Sequence, residues 1–149
     1  MAFQFKMESV AKTFAKISAM KKKEERIEAL KQNNNLAVRS VIAGWFDPRI
    51  EFALPEGAPP YKPNKFDEPK ALLAEVPRFY LLTKQGNPNL KPAKRELIFI
   101  QMLEMVNAED AEMLISMKDK KCPYKGITKD VVMAAFPGLI PNEQHDQIP

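Results

Sequence analysis

"LPEGAPPYKPNKFDEP", residues 54–69, decides whether the chain folds as one domain or two. Its five prolines and two aromatics, Tyr61 and Phe66, interrupt a sequence whose flanks carry helical periodicity. A flexible linker between domains is rich in Gly and Ser and joins halves that can each bury a core. Here Gly57 is the one glycine, serine is absent, and the chain before it holds only a handful of large apolar residues. Proline fixes φ and favours stiff extended backbone, to which aromatic rings add anchoring surface. The stretch therefore reads as a proline-rich strap, residues 47–68, laid over a single helical domain with Tyr61 and Phe66 pinning it. Because Pro60 and Pro63 have P-x-x-P spacing, a docking motif for another protein, around Tyr61 and Lys62, is the alternative.

On the N-terminal side, Val10, Phe14 and Ile17 repeat at i, i+4, i+7, which predicts an amphipathic helix over about residues 7–20. "KEERIEALKQ" has good helix formers but only Ile27 and Leu30 as large apolar residues, a thin and mostly solvated helix. "NNN" at 33–35 supplies a break and an N-cap, and Val38, Val41, Ile42 and Trp45 share one face of a third helix that Asp47-Pro48 stops. "RIEFAL", 49–54, alternates and suits one short extended segment.

Beyond the strap, Pro69 can open a fourth helix lined by Leu72, Leu73, Val76, Phe79 and Tyr80, with a kink or a division at Pro77 and an end at Gly86. Pro92 starts "AKRELIFIQMLEMV", apolar almost all round and so the central helix. Asn107 and Asp110 have the spacing of a capping box for a sixth helix, and Thr128 caps a short seventh through Val131, Val132 and Ala135. The expected fold is all-α: one domain of six or seven short helices over residues 1–140, with residues 141–149 a polar, flexible tail.

A chain of 149 residues with 45% apolar and 28% charged residues can bury a core without disulfides or metal. The sole cysteine, Cys122, rules out an internal disulfide and a Cys-rich zinc site. No apolar run reaches membrane-span length and "MAFQFKMESV" lacks a signal peptide's order, so a cytoplasmic location and no membrane partner are expected. The net charge of +4 leans to residues 1–50, with ten Lys/Arg against five acids. A dedicated nucleic-acid binder carries a stronger cationic stripe.

His145 is the only histidine and lies in the tail, so no His-based triad, general base or metal site is expected inside the fold. Phosphate-loop, dinucleotide and H-E-x-x-H motifs are absent. The acids of "KEERIE" and "NAEDAE" suit helix faces and caps, and Cys122 among lysines suits a plain loop cysteine better than an activated thiolate. These features predict no catalytic residues, no cofactor and no metal.

Binding has two candidates. "KDKKCPYKGITKD", 118–130, combines Lys118, Lys120, Lys121, Lys125 and Lys129 with Tyr124 ahead of a helix start, a pattern suited to phosphate or an acidic partner. Its connection is too long for a helix-turn-helix. Charge reversal at Lys120 and Lys121 is expected to weaken acidic-partner binding with the fold intact. The second candidate, Lys21–Lys23 with Arg26, is a solvated helix junction and at most a weak phosphate patch.

"LPEGAPPYKP", together with D-K-x-x-P-Y-K-G-I-T at 119–128 and A-F-P-G-L at 135–139, resembles a family of small tailed-bacteriophage proteins with no assigned activity. The resemblance covers about residues 8–140 and implies expression in the cytoplasm of an infected bacterium, with no catalytic residues to transfer. Three functions follow as expectations. The first is a non-enzymatic accessory protein, an adaptor or inhibitor that binds host or phage proteins of the replication, transcription or defence apparatus. The second is a nucleic-acid binder using the turn 118–129, and the third a virion or assembly component.

Overall fold

The computed structural model describes residues 8–141. Among them are seven α-helices and one 3-10 helix, with strand pairing limited to isolated bridges, so the mainly all-α expectation holds. The helices are α1 Val10–Ser18, α2 Lys23–Gln32, α3 Leu36–Phe46, α4 Ala71–Glu75, α5 Pro92–Met105, α6 Ala108–Lys118 and α7 Lys129–Ala135. Met7, the tail beyond residue 141 and His145 lie outside the described residues.

Local chemistry sets the boundaries. Ser9 Oγ accepts from Lys12 N at the start of α1, Asn35 Oδ1 from Val38 N at α3, and Thr128 Oγ1 from Val131 N at α7. Pro92 occupies the first turn of α5, where no intrahelical N–H is required. Pro77 divides the fourth segment as expected: α4 ends at Glu75 and the chain tightens into the 3-10 helix Val76–Leu82. That helix stops four residues before Gly86, which lies in the following turn with its N–H on Thr83 Oγ1.

The core is one cluster reaching from Val10 on α1 to Ile140, with α3, α5 and α6 supplying most of its large side chains. On α3, Gly44 faces Met117 of α6. A Cβ there would stand 2.5 Å from Met117 Cγ, so a larger residue would force the Met117 side chain to shift. Phe14, Trp45 and Tyr124 form an aromatic triangle with centroids 5.1 to 5.7 Å apart, and Trp45 Nε1 donates to Ser116 Oγ at 3.1 Å.

The strap crosses α5 and α6 from one end of the pair to the other. Phe52 bridges to Thr83, with Ala53 N on Leu82 O and Lys84 N on Glu51 O, so "RIEFAL" contributes a single antiparallel bridge. Gly57 N donates to the Asp119 carboxylate beyond α6, and Lys62 N to Glu104 Oε2 on α5 at 2.8 Å. Asn64 Nδ2 reaches Met105 O at 3.2 Å. Only one of the two expected aromatic pins serves: Tyr61 packs on the core, whereas Phe66 is 74% exposed. Backbone and side-chain hydrogen bonds fix the strap because its prolines leave many carbonyls and few N–H groups to satisfy.

Asn107 shows the same substitution of tertiary for local bonding. It is the N-cap residue of α6, but its side chain caps nothing there. Instead its Oδ1 accepts from Glu68 N and its Nδ2 donates to Asp67 Oδ1. Asp110 does not cap its own helix in return; its Oδ1 accepts the N–H of Ala11, in the first turn of α1, at 2.8 Å. The capping-box expectation is therefore corrected: the strap and α1 take the two side chains.

Candidate functional site

The lysine-rich turn after α6 folds largely inward. Lys120 takes φ 59, the left-handed region that usually selects glycine at a helix end. Lys120 N and Lys121 N bond back to Met117 O and Ser116 O, which closes the helix despite that cost. The side chain supplies the compensation. Lys120 Nζ donates to Asp47 O at 2.7 Å and Ile50 O at 3.0 Å and sits 5.8 Å from the Phe52 ring centroid. Burial pushes its ammonium below the usual lysine range, against the opposing pull of Asp47 and Glu51.

Lys118 is more enclosed still. Its side chain is 2% exposed and pairs with Asp119 Oδ1 at 2.6 Å, so the pair is held under the strap end at Gly57. Lys121 is exposed, pairing with Glu56 at 3.2 Å. Tyr124 is occupied by the aromatic triangle, and burial pushes its hydroxyl up to about 12. Lys129 lies half-buried in the first turn of α7. Lys62 is exposed, with its N–H on Glu104 of α5, and Tyr61 is half-buried within reach of the charge of Glu112 on α6.

The structure thus does not assemble Lys118, Lys120 and Tyr124 into an outward cationic face. A helix C-terminus beside carbonyl-rich strap backbone gives a long ammonium side chain better partners than water. Charge reversal at Lys120 would set a carboxylate against two carbonyls, so the expectation of an intact fold is also corrected. Cys122 is no activated thiol: burial pushes it up to about 11, despite a bond to Tyr124 O.

The second basic segment has a different setting. Lys21, Lys22 and Lys23 are exposed between α1 and α2. Arg26 reaches across to donate from Nε to Gly126 O at 3.0 Å and from a terminal nitrogen to Met20 O at 2.8 Å. Gly126 has φ +86, and a Cβ there would lie 2.9 Å from Arg26 Nε, so the approach requires glycine. Ser18 Oγ donates to Lys125 O at 2.6 Å. These bonds bring exposed Lys125 beside Lys21–Lys23, a juxtaposition that no spacing in the sequence indicates.

At the far end of α2 an apolar groove of about 510 Å³ opens between the starts of α1 and α3 and the α4 segment. Val10, Leu36, Val38, Pro69 and Leu73 line it, with Leu36 49% and Leu73 44% exposed. Sequence reasoning missed this groove. Leu36 falls off the Val38, Val41, Ile42, Trp45 face, which is the one local signal of exposure; Leu72 and Leu73 are both expected to line the fourth helix, and the short α4 buries Leu72 and leaves Leu73 half-exposed. Among the described residues no group of three or more His, Cys, Asp or Glu is placed to hold a metal, and no helix is long and apolar enough to cross a membrane.

One buried acid stands out. Asp110 is fully buried, and its Oδ2 has no hydrogen-bond partner. Burial pushes its carboxyl up to about 6, opposed by the Ala11 N–H bond and by Lys12 and aided by Glu109. Its hydrogen bond to Ala11 N ties the first turn of α6 to the first turn of α1.

A sequence model described as a family of unknown function (DUF6433) matches residues 13–123. No curated protein and no solved structure matches the chain.

Proposed function

The chain belongs to that family of unknown function, and from this premise we propose that it is a non-enzymatic tailed-phage accessory protein acting as an adaptor or inhibitor of a host or phage protein. The observation that carries the reading is the apolar groove holding Leu36 and Leu73. Two half-exposed leucines beside Pro69 in a concave, preformed surface are poor neighbours for water and good ones for a partner's apolar side chains. The phage setting rests on the D-K-x-x-P-Y-K-G-I-T and A-F-P-G-L segments, and the replication, transcription or defence machinery of the infected cell is the proposed source of partners. In this reading the buried reactive groups serve the fold: Cys122 is held as a thiol and Asp110 ties α1 to α6.

The test is affinity purification of the tagged protein from infected cells, with and without nuclease, beside Leu36→Glu/Leu73→Glu. Both leucines are exposed enough for the variant to fold, which circular dichroism checks. A nuclease-resistant partner retained by the parent and lost by the variant supports the reading. Capture of the same partners by both proteins, or loss of all partners on nuclease treatment, refutes it.

A further inference from the structure

We propose that the α1–α2 junction and the 124–126 loop form one composite cationic surface that binds the phosphate backbone of duplex nucleic acid. It lies at the opposite end of α2 from the apolar groove, about 15 Å away along a helix of this length, and does not depend on that groove having a partner. Its members are Lys21, Lys22, Lys23, Arg26 and Lys125. The Ser18–Lys125 and Arg26–Gly126 bonds lock the loop against the helix junction. The two basic segments, about a hundred residues apart in sequence, are thereby held as a fixed array.

Ion pairing separates this array from five other lysines of the protein. Lys12, Lys16, Lys84, Lys118 and Lys121 each pair with a carboxylate. Among the described residues none of the five array cations does so, and Arg26 spends its hydrogen bonds on neutral carbonyls, which leaves its charge uncompensated. Glu24 and Glu25, in the first turn of α2, are the acids nearest in sequence, and they leave the cations in clear excess. Such an uncompensated cluster is matched by a polyanion, whose phosphates release counterions on contact.

Backbone contact to a duplex fits better than capture of a single strand. Binding of unpaired bases needs exposed aromatic rings to stack on, and the loop's aromatic, Tyr124, is locked between Phe14 and Trp45. Lysines at a helix junction also lack the fixed fork that reads base edges, so the binding should be independent of sequence.

The experiment is fluorescence anisotropy of the full chain with a labelled random-sequence duplex over a salt series. Five cations at about 0.9 counterions each cap the log–log slope near −4.5, and Glu24 and Glu25 bring it toward −3. Affinity should then fall roughly 60- to 500-fold between 50 and 200 mM salt. Lys21→Glu/Lys22→Glu/Lys23→Glu should lose at least tenfold in affinity and flatten the slope, while Lys94→Glu, on α5, changes affinity less than twofold. Should the triple variant fail to fold, Lys125→Glu alone, whose backbone bonds are untouched, must still weaken binding several-fold. Undetectable binding at 50 mM salt, equal losses in Lys94→Glu, tighter binding to single strands, or tighter binding to poly-glutamate would each overturn the proposal.

Discussion

Asp110→Asn should remove a pH dependence of stability that the native chain carries between about pH 4 and pH 6. Burial raises the Asp110 carboxyl from 3.8 to about 6 in the folded chain, while the unfolded chain keeps the ordinary value. Between those values the folded state binds a proton that the unfolded state has released, so unfolding free energy falls as pH rises across the window. The shift of about two units corresponds to roughly 3 kcal/mol, fully present below the unfolded value and lost above about pH 6. The asparagine oxygen can still accept from Ala11 N, so the start of α1 stays capped. Its amide replaces the unpartnered Oδ2 with a buried donor, which costs about 1–3 kcal/mol at all pH values. The variant therefore carries that cost at every pH but lacks the Asp110 titration, so its difference from the parent changes with pH.

Urea unfolding of both proteins in half-unit steps from about pH 4 to pH 7.5 measures that difference. Asp47 and Glu109 titrate in the opposite sense. Burial raises each, but their hydrogen bonds and ion pairs outweigh it and hold both below the usual carboxylate range. Their contributions are present above the unfolded values and lost as pH falls through the folded ones; that of Asp47 cancels in the comparison, whereas that of Glu109, whose charge acts on Asp110, cancels only in part. The stability of Asp110→Asn minus that of the parent should rise by about 2.4 kcal/mol across the range, the rest of the roughly 3 kcal/mol being lost below pH 4. A difference that stays flat refutes the argument, because a buried acid without a second partner would then have no cost of ionisation.

Lys120→Met should destabilise by about 2 kcal/mol through loss of the two strap bonds at a half-buried site, and Lys120→Gly by about 1 kcal/mol less because it relieves the left-handed backbone; equal urea midpoints for Met and the parent would show that the strap does not need this clip. Gly44→Ala should lower stability by about 1–2 kcal/mol, since overpacking against Met117 outweighs the gain in helix propensity, and the loss should shrink when combined with Met117→Ala. A thiol at about 11 is only about one part in a thousand ionised near pH 8, so Cys122 should react with Ellman's reagent far more slowly than free cysteine until urea is added. Labelling at the free-cysteine rate in the native protein would contradict the burial argument.

The helices and most of their ends were legible because they depend on neighbours in sequence. The Phe14 and Trp45 faces, the Asn35 and Thr128 caps, Pro92 at a helix start and the break at Pro77 all follow from side-chain period or proline chemistry within one turn. The composition of residues 54–69 likewise pointed to a strap, since prolines exclude regular helix wherever they lie. What binds the strap was not legible. Asn107 and Lys120 carry the residue types of a cap and a solvated helix end, and each serves the strap instead, because packing brings carbonyls and N–H groups within reach from far along the chain.

The same division runs through the candidate surfaces. Sequence alone determined where the basic residues and the large apolar residues stand along each helix. Tertiary structure decided which of them face solvent together: it withdrew Lys118, Lys120 and Tyr124, joined Lys125 to Lys21–Lys23, and left Leu36 and Leu73 in one groove. Local periodicity reports one helix face at a time, whereas a surface is made by several elements whose mutual placement is fixed only when the core closes.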